Sequence, residues 1–337
     1  MKSDDNSKGG IAFSSVSGNP YSILPYDPSF IEDQEKELGA LFFEDLAQAI
    51  IHQFIRCHNF EEAKQSWQLE GKPVMYLANH QTGIESFVFC SLNRWLLGHP
   101  IKGLAKDEHR VSYLGILDEL LNLVYQERNP ISTIYFDRSS PRQFLDILVR
   151  LKGDLARNPY SVLIHVEGTR SIKAGEEVKK ISGTLLDFCL DNQMPMVPVK
   201  FSGGLPRSGN EKKLLFPYGL GRQDVTLGHP LDLEELRGKG NLQRIERVAR
   251  AINELEPQGE EDDHLTGDRA FAQLVERIET ENHLTSLGAV FVAALLDHPG
   301  TGDPVREFLE ERMKNAFAPI PHERGTVPGL ICKLLGS

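Results

Sequence analysis

The segment Asn79-His80-Gln81-Thr82-Gly83-Ile84-Glu85-Ser86 combines residue types that can perform acid–base chemistry. It follows an apolar run typical of a buried strand and leads into a helical pattern. A carboxylate five residues after a histidine can accept a hydrogen bond from one ring nitrogen, which leaves the other free to take a proton from an alcohol. The carboxylate would also stabilise the imidazolium that forms. Taken alone, this spacing equally fits a solvated histidine in an ordinary strand-to-helix turn.

A second polar block, His165-Val166-Glu167-Gly168-Thr169-Arg170-Ser171, follows another apolar run. Gly168 would allow backbone amides to approach a ligand closely. Thr169, Arg170 and Ser171 would add a guanidinium and two hydroxyls, which suit phosphate oxygens. By itself the block also fits a polar turn with a surface arginine.

Two further segments accompany these blocks. Arg138, in Tyr135-Phe136-Asp137-Arg138, could add a second cation to the same ligand, or could simply pair with Asp137 at the surface. The prolines of 195–199 mark a strand entry or edge and favour a structural role.

The elements that must position these blocks follow an alternating pattern between residues 74 and 227. We expect strands at 74–78, 101–105, 133–136, 161–166, 196–201 and 224–227, and helices at 85–97, 113–124, 141–156 and 183–192. Ser140 would cap the helix that begins at Pro141. A helical pattern from 33 to about 67 precedes them, and helical patterns at 269–283, 287–296 and 304–316 follow.

This order predicts an α/β fold with a mixed, largely parallel central sheet flanked by helices on both faces. An N-terminal helical segment and a C-terminal helical appendage complete it. We expect a flexible lead-in at residues 1–27, an α/β domain at 28–255, and an acidic linker with the helical appendage at 256–337.

Taken in order, the blocks resemble the lysophospholipid and glycerol-phosphate acyltransferase superfamily over roughly residues 72 to 228. The motifs that carry the resemblance are Asn79-His80 with Glu85, Ala105-Lys106 with Gly115, Phe136-Asp137-Arg138, Glu167-Gly168-Thr169-Arg170-Ser171, and Val197-Pro198-Val199. Glu85 stands where the family usually has Asp, which changes the reach to the imidazole but retains the carboxylate.

The resemblance implies that His80 is the general base and Glu85 its partner. It also implies a set of substrate-binding residues for a phosphate-bearing acceptor: Lys106, Arg138, Glu167, Gly168, Thr169, Arg170 and Ser171. The donor would be acyl-CoA or an acyl carrier protein, and the acceptor a glycerol-phosphate or 1-acylglycerol-phosphate of phospholipid biosynthesis. Direct transfer needs no cofactor, and amides at the start of the helix after His80 could stabilise the oxyanion.

The composition narrows the setting of this chemistry. A net charge of -11 over 337 residues argues against a nucleic-acid partner. The first ten residues lack a secretory apolar region, and no apolar run is long enough to span a bilayer. Four dispersed cysteines and the scattered histidines His264, His283, His298 and His322 lack metal-ligand spacing, so we expect no metal. We therefore expect a cytoplasmic protein with at most peripheral contact with the inner membrane face.

Two other classes of function remain open. The same histidine–carboxylate pair could activate water and hydrolyse an acyl thioester, or the chain could offload acyl groups as a domain of a fatty acid or polyketide synthase. It could also be a non-catalytic acyl-carrier or lipid-binding module, with Glu85 marking lost chemistry. The sequence has no G-x-S-x-G, G-x-x-x-x-G-K or G-x-G-x-x-G motif that would favour another mechanism.

Overall fold

The structure is a computed structural model. It describes residues 34–336 apart from 68, 70, 71, 99, 138–140, 156, 158, 207, 258–267 and 319–325. The predicted lead-in at residues 1–27, the Ser140 cap and most of the acidic stretch at 256–268 lie outside these residues.

Seven strands and twelve α-helices make up the described part of the chain. The strands are β1 Ile55–His58, β2 Met75–Ala78, β3 Ile101–Lys106, β4 Ile131–Phe136, β5 Ser161–His165, β6 Met196–Gly203 and β7 Gln223–Leu227. The helices are α1 Gln34–Phe54, α2 Phe60–Ser66, α3 Glu85–Leu97, α4 Tyr113–Tyr125, α5 Pro141–Leu155, α6 Gly183–Asp191, α7 Leu233–Arg237, α8 Asn241–Asn253, α9 Arg269–Asn282, α10 Ser286–Asp297, α11 Asp303–Lys314 and α12 Val327–Gly336.

One sheet holds all seven strands, in the order β1-β7-β6-β2-β5-β3-β4. Neighbouring strands are parallel throughout except for β6 and β7, which are antiparallel. Helices cover both faces. The predicted fold class, a mixed and largely parallel α/β sheet with helices at both ends of the chain, is therefore confirmed.

The central strands are apolar throughout because each of their faces is covered. In β2, Tyr76 and Ala78 join the core that contains α1, α3, α4 and the C-terminal helices. Met75 and Leu77 point to the opposite face and join the core formed with α5, α6 and α8. This alternation follows the two-residue period of a strand, and burial on both faces is typical of parallel strands.

A short strand that the sequence analysis did not predict interrupts the helical pattern from 33 to about 67. The helix ends at Phe54, Ile55–His58 pairs in parallel with Gln223–Thr226 of β7, and Asn59 takes a left-handed φ of 66° before α2. The carboxylate of Asp224 accepts hydrogen bonds from Arg56 at 2.6 Å and His58 at 2.7 Å. Pairing with a distant strand overrides the local helical pattern here.

The C-terminal helices pack into the larger core. Helix α10 is buried almost all round and contacts α1, α9 and α12, and α12 also contacts α4. At Gly288 the backbone of Leu335 approaches so closely that a Cβ would meet the Leu335 carbonyl. The predicted domain limits stay predictions, but α9–α12 and the sheet share one hydrophobic core.

A polar contact fastens α11 to α1 at the far end of α10. The carboxylate of Asp45 accepts the backbone N–H of Gly302 at 3.0 Å, and His298 stacks loosely on His52 nearby. Within the described part of the chain, no helix combines the length and apolar character that crossing a membrane requires.

Candidate active site

His80 and Glu85 meet where β2 gives way to α3. His80 lies two residues beyond β2, and Glu85 is the first residue of α3. The Nδ1 of His80 and the Oε2 of Glu85 are 2.7 Å apart, so Nδ1–H donates to the carboxylate. The Glu85 side chain is fully buried, whereas His80 is partly exposed. The structure thus brings together the two residues that the sequence pairs.

Three further donors surround the Glu85 carboxylate. The backbone amides of Gln81 and Thr82 donate to it at 2.9 Å each, and Nε2 of Gln223 in β7 donates at 2.7 Å. Burial raises the pKa of Glu85, while the neighbouring charges and these donors oppose that shift. Because every partner donates, the environment is arranged for an ionised acceptor.

The surroundings of His80 disfavour its protonated form. Burial lowers the pKa of His80 well below the ordinary value, and the positive charges of Arg170 and Lys213 add to the shift. With Nδ1 committed to Glu85, Nε2 is the nitrogen that remains for a substrate. A neutral imidazole with its tautomer fixed in this way can accept a proton.

His80 lines a cavity of about 820 Å³ at the carboxyl ends of the parallel strands. Sites of α/β proteins commonly lie at this edge. Four side chains that carry or can carry positive charge line the same cavity: Lys106, His109, Arg170 and Lys213. The cavity therefore joins a neutral base to a cationic lining suited to phosphate.

Two apolar walls flank the polar centre, one from each face of the sheet. The first belongs to the face of α5 and α6, and comprises Leu104, Phe136, Phe144, Ile164, Val166 and Leu185. The second belongs to the α4 and α10 face, and comprises Tyr113, Leu114 and Leu287. The second wall therefore depends on α10, which lies far from the catalytic block in sequence.

The residues predicted to bind substrate are distributed unevenly. Five of them line the cavity: Lys106, Glu167, Gly168, Thr169 and Arg170. The side chain of Ser171 does not line it and borders a neighbouring cavity instead, while its backbone N–H donates to the His80 carbonyl at 2.8 Å. Arg138 lies outside the described residues.

Contacts within the second block hold it against the segment around Leu214. Gly168 adopts a left-handed φ of 62°, which glycine accepts without strain. The hydroxyl of Thr169 accepts a hydrogen bond from Lys213 at 2.9 Å, and Nη1 of Arg170 donates to the Leu214 carbonyl at 2.7 Å. These two hydrogen bonds fix the loop that carries Lys213 beside the second block.

The turn before α3 requires a glycine. The amide of Gly83 donates to the Leu214 carbonyl at 2.9 Å, and the Tyr113 hydroxyl donates to the Gly83 carbonyl at 2.6 Å. A Cβ at Gly83 would lie 2.7 Å from the Leu215 side chain and 3.0 Å from Arg170. Close approach of two loops, rather than a special φ, explains this residue.

The backbone amides of residues 81 to 84, between His80 and α3, all have protein partners. Gln81 and Thr82 donate to Glu85, and Gly83 and Ile84 donate to the carbonyls of Leu214 and Leu215. These four N–H groups hold the turn together. The oxyanion role expected of the amides at the start of α3 stays a prediction.

His165 is the nearest residue to the base that the sequence analysis left without a role. Its ring stacks on that of His80, with centroids 3.8 Å apart and an angle of 20° between the planes. Nδ1 lies 2.6 Å from the Asn79 carbonyl, and Nε2 lies 3.0 Å from the Ser86 hydroxyl. Burial lowers the pKa of His165 to about 3, and the adjacent His80 ring acts in the same direction.

His80, Glu85 and His165 are also a group of described residues whose ligand atoms all lie within 4.8 Å of one another, as metal ligands can. However, nearly parallel rings direct their nitrogen lone pairs side by side rather than toward one point. Both nitrogens of His165 and Nδ1 of His80 already have protein partners. The trio fits a hydrogen-bonded base assembly better than a metal centre.

Other contributors could be found from sequence only in part. The Lys212-Lys213 pair is a basic signal near the site that is visible in the sequence, and His165 is the first residue of the second block. Gln223 gives no local signal, since it reaches Glu85 across 138 residues of sequence. His109 and Tyr113 likewise enter the site only through folding.

A histidine held by a buried carboxylate lies at the carboxyl edge of the parallel sheet, beside cationic and apolar walls. This arrangement suits acyl transfer to a hydroxyl. Residues 54–202 match the Acyltransferase family model, and this range runs from β1 into β6 and includes both polar blocks. Through this region the chain is similar to the acyltransferase family. No curated protein matches the chain.

Proposed function

We propose that the protein transfers a fatty acyl group from an acyl thioester to a hydroxyl of a glycerol-phosphate or 1-acylglycerol-phosphate acceptor. The observation that carries the proposal is the His80 imidazole, fixed by Glu85, in a cavity whose lining includes Lys106, Arg170 and Lys213. The base suits an alcohol, and the cations suit a phosphate on the same acceptor.

The proposed reaction is a direct transfer. Nε2 of His80 accepts the hydroxyl proton as the acceptor oxygen attacks the thioester carbonyl. Collapse of the tetrahedral intermediate breaks the C–S bond, and the imidazolium returns the proton to the leaving thiolate. Glu85 stabilises the imidazolium while it exists, and Arg170 and Lys213 offset the negative charge on the oxygen. No cofactor takes part.

The apolar walls supply room for the acyl chain of the donor. One wall lies on each face of the sheet, so an acyl chain and the acceptor can approach His80 from different sides. Holding both reactants against one base contributes to the rate by replacing a bimolecular encounter.

Product analysis tests the proposal. Purified protein is incubated with an acyl-CoA series and either glycerol 3-phosphate, a 1-acylglycerol 3-phosphate or their unphosphorylated counterparts, and products are identified by mass spectrometry. The proposal expects an acyl ester on the phosphorylated acceptor. Free fatty acid in the same amount with and without acceptor would establish a hydrolase instead. No turnover of any donor would favour a non-catalytic lipid-binding module.

We propose acyl-CoA and acyl carrier protein as alternative donors, because both present the same phosphopantetheine thioester to His80. Carrier proteins are typically acidic, and the overall charge of -11 would repel them. Lys179, Lys180 and Lys212 are exposed near the second block and supply local positive charge. Reversing these charges should slow transfer from a carrier protein at low salt and spare transfer from acyl-CoA. Unchanged carrier kinetics would leave CoA as the donor.

We also propose peripheral contact with a membrane around the cavity mouth. Most of the exposed large apolar side chains of the described residues belong to segments that line this cavity: Val111, Leu145, Val149, Ile172 and Leu215. Such side chains, beside lysines, suit the surface of an anionic bilayer. Sedimentation with vesicles that contain anionic lipid tests the contact, and Val111→Ser with Val149→Ser should weaken it. Equal sedimentation of both proteins would refute it.

A further inference from the structure

The face of the His80 ring is covered by a second imidazole. The two centroids are 3.8 Å apart and the planes differ by 20°, so the rings overlap rather than meet edge to edge. His165 ends β5, and His80 follows the adjacent parallel strand β2, whose Ala78 pairs with His165. Sheet register therefore sets the stack, and the mechanism described above makes no use of it.

The hydrogen bonds of His165 assign the hydrogen on its Nδ1. The Asn79 carbonyl can only accept, so Nδ1 of His165 must carry the hydrogen of that 2.6 Å contact. Nε2 then accepts from the Ser86 hydroxyl at 3.0 Å. A second proton on His165 would require the hydroxyl to turn away. It would also set a cation against His80, which itself gains a proton during the reaction.

Both nitrogens of His165 thus have protein partners, and its position against the His80 ring indicates a role other than that of the base. Building on the proposed acyl transfer, we propose that His165 is a positioning residue whose locked, neutral ring holds the His80 imidazole with Nε2 toward the cavity. The same stack places an aromatic face against the imidazolium that forms when His80 takes the acceptor proton. An aromatic face attracts a cation, most strongly where water is excluded.

The other groups around His80 bear on its charge from separate elements. Glu85 approaches from α3, Arg170 from the loop after β5, and Lys213 from the loop before β7. Lys106 and His109 approach from the end of β3 and the turn after it. Of these, only Glu85 favours the protonated ring. The stacked neutral ring is thus a second contact that can favour the imidazolium without adding positive charge.

Two substitutions separate the stack from the hydrogen bonds. His165→Phe keeps an aromatic face on His80 and loses both hydrogen bonds, whereas His165→Ala removes the ring. We expect His165→Ala to lower kcat by about 3- to 30-fold, the range of a cation–π contact, with KM changed by less than about twofold. His165→Phe should restore kcat to within about threefold of wild type. His298→Ala, at a buried histidine at the opposite end of α10 from the cavity lining, is the matched control for lost packing.

The second readout is independent of turnover. Nitrogen-15 shifts of the imidazoles report the tautomer of His80 and the pH at which it gains a proton. His165→Ala removes the aromatic face that favours the imidazolium, so protonation of His80 should move to lower pH. The acid limb of kcat/KM should move with it. His165→Phe and His298→Ala should leave both unchanged.

These experiments distinguish failure of the positioning role of His165 from failure of the proposed acyl-transfer function. A kcat of His165→Ala equal to wild type, or a folded His165→Phe as slow as His165→Ala, would overturn the positioning role. If His165→Ala does not fold, the His165→Phe protein decides by its kcat and His80 shifts. Wild-type protein that forms no ester, with shifts that still respond to His165→Ala, would refute the acyl-transfer function while leaving the stack intact as a determinant of His80.

Discussion

Substitution of Glu85 is the most direct test of the proposed mechanism. Its Oε2 accepts from His80 Nδ1 and the Gln81 amide, and its Oε1 accepts from the Thr82 amide and Gln223. Glu85→Gln keeps the size of the side chain but leaves one acceptor oxygen. Whichever way the amide turns, its NH₂ faces groups that are themselves donors.

Each orientation of the amide has a different cost. With NH₂ toward His80, Nδ1 must become the acceptor, so Nε2 carries the hydrogen and can no longer take the acceptor proton. With NH₂ toward Thr82, a buried amide loses its partner, which costs about 1–3 kcal/mol of stability. In both, the charge that stabilises the imidazolium is gone.

The expected loss of rate follows from these contacts. A hydrogen bond to a charged group contributes about 1.5–3 kcal/mol, which corresponds to roughly 10- to 150-fold in kcat. Exchange of the tautomer extends the loss toward about 10⁴-fold, as for the analogous Asp-to-Asn change in the Ser-His-Asp triad. Glu85→Asp keeps the charge, and we expect it to retain activity within about tenfold.

Steady-state kinetics with acyl donor and phosphorylated acceptor check this prediction. Circular dichroism and urea unfolding of the same preparations establish that each variant is folded. We expect the Asp variant to exceed the Gln variant by at least about tenfold in kcat. Equal rates for the two folded variants would show that Glu85 does not orient or stabilise His80, and the role of the pair would have to be abandoned.

Four more predictions follow. His80→Ala should lower kcat by about 10²- to 10⁴-fold in a folded protein, and near-wild-type turnover would exclude it as the base. Arg170→Ala should raise KM for a phosphorylated acceptor by roughly 10- to 150-fold and leave an unphosphorylated one unaffected; equal effects would argue against phosphate. Burial raises the pKa of Asp45 to about 6, so the folded state binds more protons than the unfolded state between its ordinary value and pH 6, and stability is lost as pH rises there. Between pH 4 and pH 7, the free energy of unfolding in urea of Asp45→Asn should therefore rise by about 2–3 kcal/mol relative to that of wild type. A difference between the two proteins that does not change with pH would contradict that pKa. Ending the chain before residue 269 should expose the apolar α1 and α4 faces and give aggregates by size-exclusion chromatography, and a soluble monomer would indicate a separate domain.

The parts of the fold that sequence predicts well have strong local signals. Helix α3 begins and ends at the expected residues because a polar turn, an acidic first residue and Gly98 after its end coincide. The two polar blocks follow β2 and β5, which are buried on both faces. Because these strands are parallel, their carboxyl ends lie at one edge of the sheet. The pairing of His80 with Glu85 needs only the turn between them, and that is why spacing alone predicts it.

The parts that sequence does not predict depend on distant partners. Strand β1 continues a helical pattern and becomes a strand because β7, whose residues lie 168 positions further along, offers it a parallel edge. The His165 stack depends on which strands are adjacent and on their register. These features depend on hydrogen bonds between residues that are close in space but distant in sequence. A local sequence pattern therefore does not predict them.

The residues inside the region that matches the family model and the residues outside it have different roles in the proposed site. The region that matches the family contains His80, Glu85 and the second block, which carry the proposed chemistry. Beyond residue 202, Gln223 completes the contacts of Glu85, the Leu214 carbonyl fastens both Gly83 and Arg170, and Leu287 forms part of the second apolar wall. Because these residues act on the orientation and enclosure of the base, substitutions there should alter kcat and substrate preference without removing any reacting group. The geometry of this active site is therefore a property of the whole folded chain.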